Sequence, residues 1–353
     1  MKVEKNSASE IKIAYIGGGS RGWAWNLMSD LAQEKSLSGE VCLYDIDLEA
    51  AKANEIIGNK IREVHKDADN WYYTTAPTLC EALTGANFII ISILPGTFDE
   101  MRSDVHAPEE FGIYQSVGDT TGPGGIIRAL RTVPMYEVIA AAIRDYAPDA
   151  WVINYTNPMA MCVRTLYRVF PKIKAFGCCH EVFGTQKFLA KVMQKALGCE
   201  EIDRSEIKAN VIGTNHFTWL TSAHFRNHDI FPYYEKFCEE YGEKGFTEGN
   251  DTNWLNRVFQ CAQKVKMDLF KKYRYIAAAG DRHLAEFCPG TWYLDNPETV
   301  KSWGFDLTSV DFRLELLADR MEKSRKMVSG EQEFELNPSG EEGVIQIKAL
   351  LGL

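Results

Sequence analysis

The chain has 353 residues, a formal net charge of −10, and a composition that is 45% hydrophobic and 25% charged. This acidic balance argues against a nucleic-acid or anionic-membrane partner. No apolar run approaches the length of a bilayer span and the start of the chain has no signal-peptide core, so we expect a cytoplasmic protein. Nine scattered cysteines, an odd number, indicate a reducing compartment in which a special cysteine is a ligand or nucleophile rather than a cross-link.

The first predicted element is a strand, glycine turn and helix near the start of the chain. Residues 11–16 are apolar enough for a short buried strand, and a helical pattern continues to about Gln33. Between them Gly17, Gly19 and Gly22 have the GxGxxG spacing, in which small residues let a pyrophosphate approach the N–H groups of a helix N-terminus. The turn therefore predicts a dinucleotide site. Its predicted cofactor-binding residues are Gly17, Gly19, Ser20 and Arg21.

An acidic residue ends the second predicted strand, residues 41–45. Asp45 stands at about the distance from the glycine turn that is expected for the residue that binds the adenine-ribose hydroxyls. A carboxylate at this position favours NAD over NADP, because a 2′-phosphate would meet a like charge. The alternative is that Asp45 only caps the following helix.

Strands and helices alternate over the first half of the chain. Strands predicted at 72–75, 87–93 and 150–154 are separated by helical patterns such as 125–145. The run at 87–93 is continuously apolar, as expected for a strand that is covered on both faces of a parallel sheet. The pattern predicts an α/β fold, with a Rossmann-like doubly wound parallel sheet in an NAD-binding domain over residues 1–185.

The pattern changes beyond residue 185. A helix at 185–196 and strands at 209–213 and 219–225 precede segments that are mostly helical. We therefore expect a second, α+β domain over residues 186–353 that contributes to substrate binding, metal binding and oligomerisation. Its most regular helical patterns are 254–272 and 310–327.

A glycine-rich stretch at 114–125 contains four glycines and a proline, and we expect it to be irregular. Its polar residues Asp119, Thr120 and Thr121 make it a candidate active-site loop, with a plain surface loop as the alternative.

Two further stretches carry metal-ligand side chains just after short apolar runs. Cys179 and His216 could supply thiolate and imidazole ligands to a divalent metal and leave positions open for substrate oxygens. The neighbouring Cys178 and His180 could as easily be packed residues. A third stretch, 277–286, presents Asp281, which could also be the N-cap of a short helix.

Six short motifs occur in this sequence in the same order as in a known enzyme family. Through them the sequence resembles the NAD- and metal-dependent glycosidases of glycoside hydrolase family 4. The resemblance runs from about residue 11 to about residue 351. Residues 113–119, 179–184 and 280–286 look most like the α-galacturonidase branch, with α-galactosidases and α-glucosidases as neighbours. The six motifs are Gly17-Gly-Gly-Ser20, Asp45-Ile-Asp47, Thr121-Gly-Pro-Gly-Gly125, Asn154-Tyr-Thr-Asn-Pro158, Gly177-Cys-Cys-His180 and Gly213-Thr-Asn-His216.

The resemblance implies a reaction without net redox change, which departs from that of ordinary two-carboxylate glycosidases. NAD⁺ takes a hydride from sugar C3, the ketone acidifies the C2 proton, a base removes that proton, and the glycosidic oxygen is eliminated. Water then adds and the hydride returns. The resemblance also implies a metal, Mn²⁺ or another divalent ion, held by Cys179 and His216, which chelates sugar oxygens as a Lewis acid.

Other roles come from the same resemblance. Asn154 lies in the cofactor-binding motif, Asn157 matches an asparagine that contacts substrate, and Arg102 stands where the family has a substrate-contacting arginine. Arg282 and His283 are candidates for binding a uronate carboxylate, which a bidentate arginine fits well.

The candidate general acid and the candidate base that removes the C2 proton also come from the resemblance. His180 occupies the place of an aspartate in the 6-phospho-glucosidases, which makes a 6-phosphate substrate less expected and His180 a candidate catalytic residue. Several members use a tyrosine as the C2 base. The corresponding stretch here favours Asp281, with Tyr275 close by in the sequence.

The length of the chain differs from that of the family. Family members usually continue further, with a segment that completes the second domain and its subunit contacts, so the C-terminus is expected to be truncated. By resemblance, the partners are a small carbohydrate that contains a uronate and further copies of the chain, in a dimer or tetramer.

Two other classes remain open. A lactate- or malate-type dehydrogenase shares the glycine turn and an Asn-Pro loop, but it predicts net NADH production without a metal requirement. A non-catalytic NAD-binding protein would bind NAD yet show no solvent exchange at sugar C2.

Overall fold

The computed structural model describes residues 1–64, 70–247, 261–337 and 343–353. These residues form two compact units, each assembled from more than one stretch of chain. The predicted division at residue 185 differs from this grouping, because local sequence patterns carry no information about which core an element joins. The first unit contains Met1–Phe98, Ala129–Cys178 and Val310–Leu353, and the second contains Asp99–Arg128 and Cys179–Ser309.

The first unit is built on a sheet of seven strands among the described residues. Six of them are parallel in the order β4-β3-β2-β5-β6-β7, and β1 pairs antiparallel with β2. The order reverses between β2 and β5, which is the position where doubly wound sheets bind ligands at the carboxyl ends of their strands. The strands are β1 (Lys2–Val3), β2 (Ala8–Ile16), β3 (Leu37–Tyr44), β4 (Trp71–Thr75), β5 (Phe88–Ile91), β6 (Trp151–Asn154) and β7 (Lys174–Gly177).

Apolar side chains cover both faces of this sheet. All four residues of β5 are buried, and consecutive residues point to opposite faces, so that Ile89 and Ile90 belong to different hydrophobic clusters. Burying such a side chain contributes roughly 1.5–3 kcal/mol. The helices of this unit are Trp23–Gln33, Leu48–Val64, Leu79–Leu83, Met159–Val169, Val310–Ser329 and Val344–Leu351, together with most of Gly122–Tyr146.

The second unit combines helices with an antiparallel sheet. Its strands are β8 (Ile207–Thr214), β9 (Phe217–Phe225), β10 (His228–Asp229) and β11 (Ile276–Ala277), and β9 pairs with each of the others. Its core is aromatic, with Tyr234 and Phe270 meeting edge to face at 4.8 Å between ring centroids. The first helix is Phe98–His106, of which all residues except Phe98 belong to this unit. The other helices are Glu181–Leu197, Phe231–Tyr241, Lys264–Tyr273, Asp281–Glu286, Gly290–Tyr293 and Pro297–Trp303, and 3-10 turns lie at Ala107–Phe111 and Arg204–Glu206.

The predicted fold class, a doubly wound parallel sheet with a second α+β part, is confirmed. Some elements differ from their predictions. The stretch 114–125 is not wholly irregular, because a helix begins at Gly122, and the helix predicted at 254–272 is seen only as Lys264–Tyr273, since 254–260 lie outside the described residues. Across the described ranges, no helix is long and apolar enough to cross a bilayer.

Candidate active site

The glycine turn of the first unit is packed so closely that side chains would not fit. A Cβ on Gly17, whose φ is +91°, would lie 2.0 Å from the backbone oxygen of Ser92, and one on Gly19 would lie 2.7 Å from Cβ of Ala50. Only glycine accepts both the left-handed backbone and this close approach. Ser20 follows, and its Oγ accepts a hydrogen bond of 3.2 Å from the N–H of Trp23, the first residue of the helix.

This turn fits the pyrophosphate of a dinucleotide. The helix Trp23–Gln33 begins here, and the positive end of its dipole favours an anion. Nε of Arg21 is buried and has no hydrogen-bond partner in the described part of the chain, so a donor is left for a ligand.

Asp45 directly follows β3 and faces the same turn. Its Oδ2 accepts a 2.8 Å bond from Gly19 N–H, and its Oδ1 accepts a 3.0 Å bond from Asp47 N–H. In the helix Leu48–Val64, the N–H of Ala50 bonds to Asp47 rather than to Asp45. Asp45 therefore orders the turn and lies where a ribose-binding carboxylate is expected.

The structure gives Asn154 a different environment from the one expected of a cofactor ligand. The residue is fully buried, its Nδ2 donates to the Thr156 backbone oxygen at 3.0 Å, and its Oδ1 accepts from the hydroxyl of Tyr136. Because both ends of the amide are engaged inside the protein, Asn154 holds the loop that leads to Asn157. Asn157 itself is half-buried on that loop.

A cluster of polar side chains surrounds His216 in the second unit. His216 lies in the turn between β8 and β9, is 4% exposed, and has a left-handed backbone with φ of +66°. Its ring stacks on that of His283 at 3.7 Å between centroids. Glu181 Oε1 lies 3.5 Å from Nε2 of His283, and Thr120 Oγ1 lies 2.8 Å from Nδ1 of His216.

Burial and charge set the protonation of this cluster. Burial, and next the positive charge of His283, lower the pKa of His216, which favours the neutral imidazole. Burial alone would lower the pKa of His283 as well, but the carboxylate of Glu181 outweighs it and raises that pKa. Burial would raise the pKa of Glu181, but the positive charge of His283 and its hydrogen bond hold that pKa well below its usual value.

Cys179 and His180 precede the helix on which Glu181 lies. Cys179 is half-buried, and His180 is the N-cap of Glu181–Leu197, with Nε2 3.8 Å from Oε1 of Glu181. A cysteine thiolate is a soft ligand that zinc and other borderline metals accept. Within the described ranges, no group of three or more His, Cys, Asp or Glu side chains is arranged to hold a metal ion.

The available donors nevertheless fit a divalent metal with open positions. His216 is buried, and its Nδ1 is occupied by Thr120, which leaves Nε2 for a ligand role. A thiolate of Cys179 would add a second borderline-soft donor of the kind that Zn²⁺ or Mn²⁺ accepts, with water and substrate as the remaining ligands.

Asp281 differs from its sequence-based assignment. Its side chain is 0% exposed, and its carboxylate accepts 3.2 Å and 3.1 Å bonds from the N–H groups of Val265 and Lys266, in the first turn of Lys264–Tyr273. Burial raises the pKa of Asp281 to about 6, while the charge of Lys266 opposes this change. Asp281 therefore caps a neighbouring helix, whereas Gly280 is the N-cap of its own.

Arg282 is also engaged inside the protein. Its Nε donates to the Asp306 backbone oxygen at 3.1 Å, and one terminal nitrogen donates to Thr308 Oγ1 at 2.9 Å and to the Ser116 backbone oxygen. These bonds connect segments that are distant in sequence, so the guanidinium has a structural function where substrate recognition was expected.

The remaining predicted residues lie elsewhere in the second unit. Arg102 is half-buried on the helix Phe98–His106, and Tyr275 is 49% exposed just before β11. Sequence reasoning missed Glu181 and Glu286, although they lie in the stretches 179–184 and 280–286, which resemble the α-galacturonidase branch. Oε1 of Glu286 accepts 2.8 Å bonds from the N–H groups of both Val117 and Gly118.

Glu286 is expected to make stability pH-dependent. Burial raises its pKa from 4.5 to about 7, so the folded state keeps a proton that the unfolded state releases between these values. Stability therefore falls as pH rises through this window, by on the order of 3 kcal/mol. Urea unfolding at a series of pH values should show a smaller fall for Glu286→Gln than for wild type, with exposed Glu243→Gln as the control. Parallel curves for Glu286→Gln and wild type would contradict the assignment.

The parallel sheet has the strand order of a doubly wound fold. A glycine turn follows β2 and the acidic Asp45 follows β3, and together these features define a dinucleotide-binding fold. Residues 12–195 match the family described as family 4 glycosyl hydrolase, and residues 211–353 match its C-terminal domain. The chain belongs to this family, and it is a glycosidase.

Known relatives agree with the family. An α-galacturonidase of Thermoanaerobacterium saccharolyticum is 60% identical over 353 residues, which are 100% of this chain and 76% of that protein. An α-galacturonidase of Bacillus subtilis is 53% identical over 99% of this chain and 76% of its own length.

Solved structures share the fold. The crystal structure of lplD from Bacillus subtilis has a TM-score of 0.91 and 53% identity, covering 98% of this chain and 77% of that one. A 6-phospho-α-glucosidase from gut microorganisms, solved with NAD and Mn²⁺, has a TM-score of 0.71 at 19% identity, covering 98% and 74%.

Proposed function

We propose that this glycosidase hydrolyses α-galacturonides and uses NAD and a divalent metal, Mn²⁺, to do so. The observation that carries the mechanism is the buried cluster around His216, whose neutral imidazole has one nitrogen engaged and one left for a ligand. The choice of a galacturonide is supported by the α-galacturonidase relatives, which are similar over the whole of this chain.

The first unit would hold the cofactor and the second the metal. Bound NAD supplies a reversible hydride acceptor, and a bound divalent metal supplies a Lewis acid. Arg21 would bind pyrophosphate and Asp45 the adenine ribose, while Cys179 and His216 would be the protein ligands of the metal.

The candidate proton donor of the site is His283. Glu181 lies 3.5 Å from this ring and raises its pKa, so it stabilises an imidazolium that can donate a proton. His180, whose Nε2 lies 3.8 Å from the same carboxylate, is the second candidate catalytic residue. Tyr275, which is exposed, is the proposed C2 base, because Asp281 is buried and occupied as a helix cap.

Recognition of the uronate carboxylate would depend on cations other than Arg282, whose donors bond inside the protein. We assign this recognition to Arg102 and His283, both in the second unit. Asn157, on the loop after β6, is kept as a proposed substrate-contacting residue. A homo-oligomer and a cytoplasmic location remain part of the proposal, and light scattering of the purified chain tests the former.

Hydrolysis assays test the proposal directly. With NAD⁺, Mn²⁺ and a thiol present, p-nitrophenyl α-galacturonide should be cleaved faster than the α-galactoside and 6-phospho-glucosides, without net accumulation of NADH. Omission of NAD⁺ or Mn²⁺ should abolish cleavage. Faster cleavage of the α-galactoside would contradict the substrate, and NADH produced from a hydroxy acid without metal would favour a dehydrogenase.

A further inference from the structure

The glycine-rich loop before the helix Gly122–Tyr146 contacts the buried His216 through one threonine. Thr120 Oγ1 lies 2.8 Å from Nδ1 of His216, and the same hydroxyl donates a 2.7 Å hydrogen bond to Oδ1 of Asp119. A hydroxyl has a single proton to donate. Since that proton goes to Asp119, the oxygen faces His216 as an acceptor, and Nδ1 of His216 must carry the hydrogen.

This arrangement selects one tautomer of the ring. A neutral imidazole has one N–H and one bare nitrogen, so a proton on Nδ1 leaves the lone pair on Nε2. The lone pair is what a metal requires, and a hydrogen bond to the opposite nitrogen is the usual way in which proteins orient a histidine ligand.

The ring has little freedom to leave this position. His216 is 4% exposed, and its face is covered by the ring of His283 at 3.7 Å between centroids. Its backbone, with φ of +66°, lies in the left-handed region, which few residues other than glycine adopt, although histidine is among those enriched there. A left-handed residue kept at a buried position indicates a local requirement that outweighs the backbone cost.

The loop that carries Thr120 is fixed as well. Val117 and Gly118 donate their N–H groups to Glu286, and Gly124 donates to Oε1 of Gln115 at 2.9 Å. Hydrogen bonds therefore fix the loop on both sides of Thr120. Because the position of the Thr120 hydroxyl is fixed, it can determine the orientation of the His216 ring.

We propose that Thr120, supported by Asp119, is the positioning residue that fixes His216 in the Nδ1–H tautomer and aims Nε2 at the metal. The inference rests on the metal site of the proposed function. It adds to that site two residues from a different segment of the chain.

Metal affinity tests the proposal without any assay of activity. Mn²⁺ binding to purified protein, followed by the EPR signal of free Mn²⁺, should weaken about 10- to 100-fold in Thr120→Val, which keeps the shape and removes the acceptor. Thr120→Ser, which keeps the hydroxyl, should bind within about threefold of wild type. Thr291→Val, a substitution of an exposed threonine outside this loop, is the matched control and should leave the affinity unchanged. Equal affinities in Thr120→Val and wild type, with or without a change in Tm, would overturn the proposal.

The tautomer provides a second test that needs no metal. In metal-free wild type labelled with ¹⁵N-histidine, His216 should show a protonated Nδ1 and a bare Nε2, and Thr120→Val should lose this preference. An Nε2–H tautomer in the wild type would overturn the inference even if Mn²⁺ binds. If the wild type bound no Mn²⁺, the proposed function would fail, and the tautomer would still decide whether Thr120 sets the ring.

Discussion

Replacing Cys179 by serine is expected to lower kcat/KM by on the order of a thousandfold, because a Lewis acid contributes several kcal/mol to the transition state. A serine hydroxyl is a far weaker ligand than a thiolate, so the metal would no longer be held. Parallel measurements of hydrolysis and of Mn²⁺ binding check the result, and both should be lost together.

The adjacent cysteine offers a matched control. Cys178 is buried, and its sulfur accepts a 3.0 Å bond from Nε2 of Gln346, so Cys178→Ala should cost some stability but leave Mn²⁺ binding intact. If Cys178→Ala lost Mn²⁺ binding while Cys179→Ser kept it, the metal ligand would be Cys178 and the proposed assignment to Cys179 would be wrong. If neither variant changed Mn²⁺ affinity, the metal site itself would be elsewhere.

Replacing Asp281 by alanine is expected to destabilise the fold by about 2–5 kcal/mol, because a buried carboxylate that accepts hydrogen bonds from two N–H groups is removed. Lys266 is 2% exposed, with Nζ 3.2 Å from Oγ1 of Thr185, and it would lose its nearby negative charge. The first turn of Lys264–Tyr273 would also lose the acceptor of two N–H groups. Urea unfolding of the purified variant measures the loss.

Two further variants separate the helix-capping role of Asp281 from a catalytic one. The double variant Asp281→Ala with Lys266→Met should recover part of the lost stability, because the buried Lys266 charge is removed while two N–H groups still lack their acceptor. Asp295→Ala, on an exposed carboxylate, should change stability by less than about 0.5 kcal/mol. A variant Asp281→Asn that folds with wild-type stability yet has lost all hydrolysis would instead favour the base role.

The residues around Asp281 illustrate how far sequence reasoning extends. The motif at 277–286 indicated a functional stretch, and His283 does lie in the cluster around His216. The motif could not indicate that Asp281 caps a helix that begins 17 residues earlier, or that Arg282 bonds to Ser116, 166 residues away. Contacts over such separations depend on how the elements pack, which local patterns do not contain.

By itself, the sequence determined the structural elements that depend only on residues close to one another in the chain. The glycine turn, the acidic residue that follows the second strand of that unit and the continuously apolar strands are consequences of φ/ψ freedom, spacing and hydrophobic pattern within short segments. Because each of these features depends only on neighbouring residues, together they are sufficient to define the doubly wound sheet and the dinucleotide class.

Only the tertiary structure decided which polar groups are available for chemistry and which are already engaged. Asn154 and Asp281 look like site residues in the sequence, yet both are fully buried with their hydrogen-bonding atoms occupied. Glu181 and Thr120 became important because folding places them beside His283 and His216. The physical reason is that burial and long-range hydrogen bonds set both the charge and the freedom of a side chain, and both arise only when distant segments pack together.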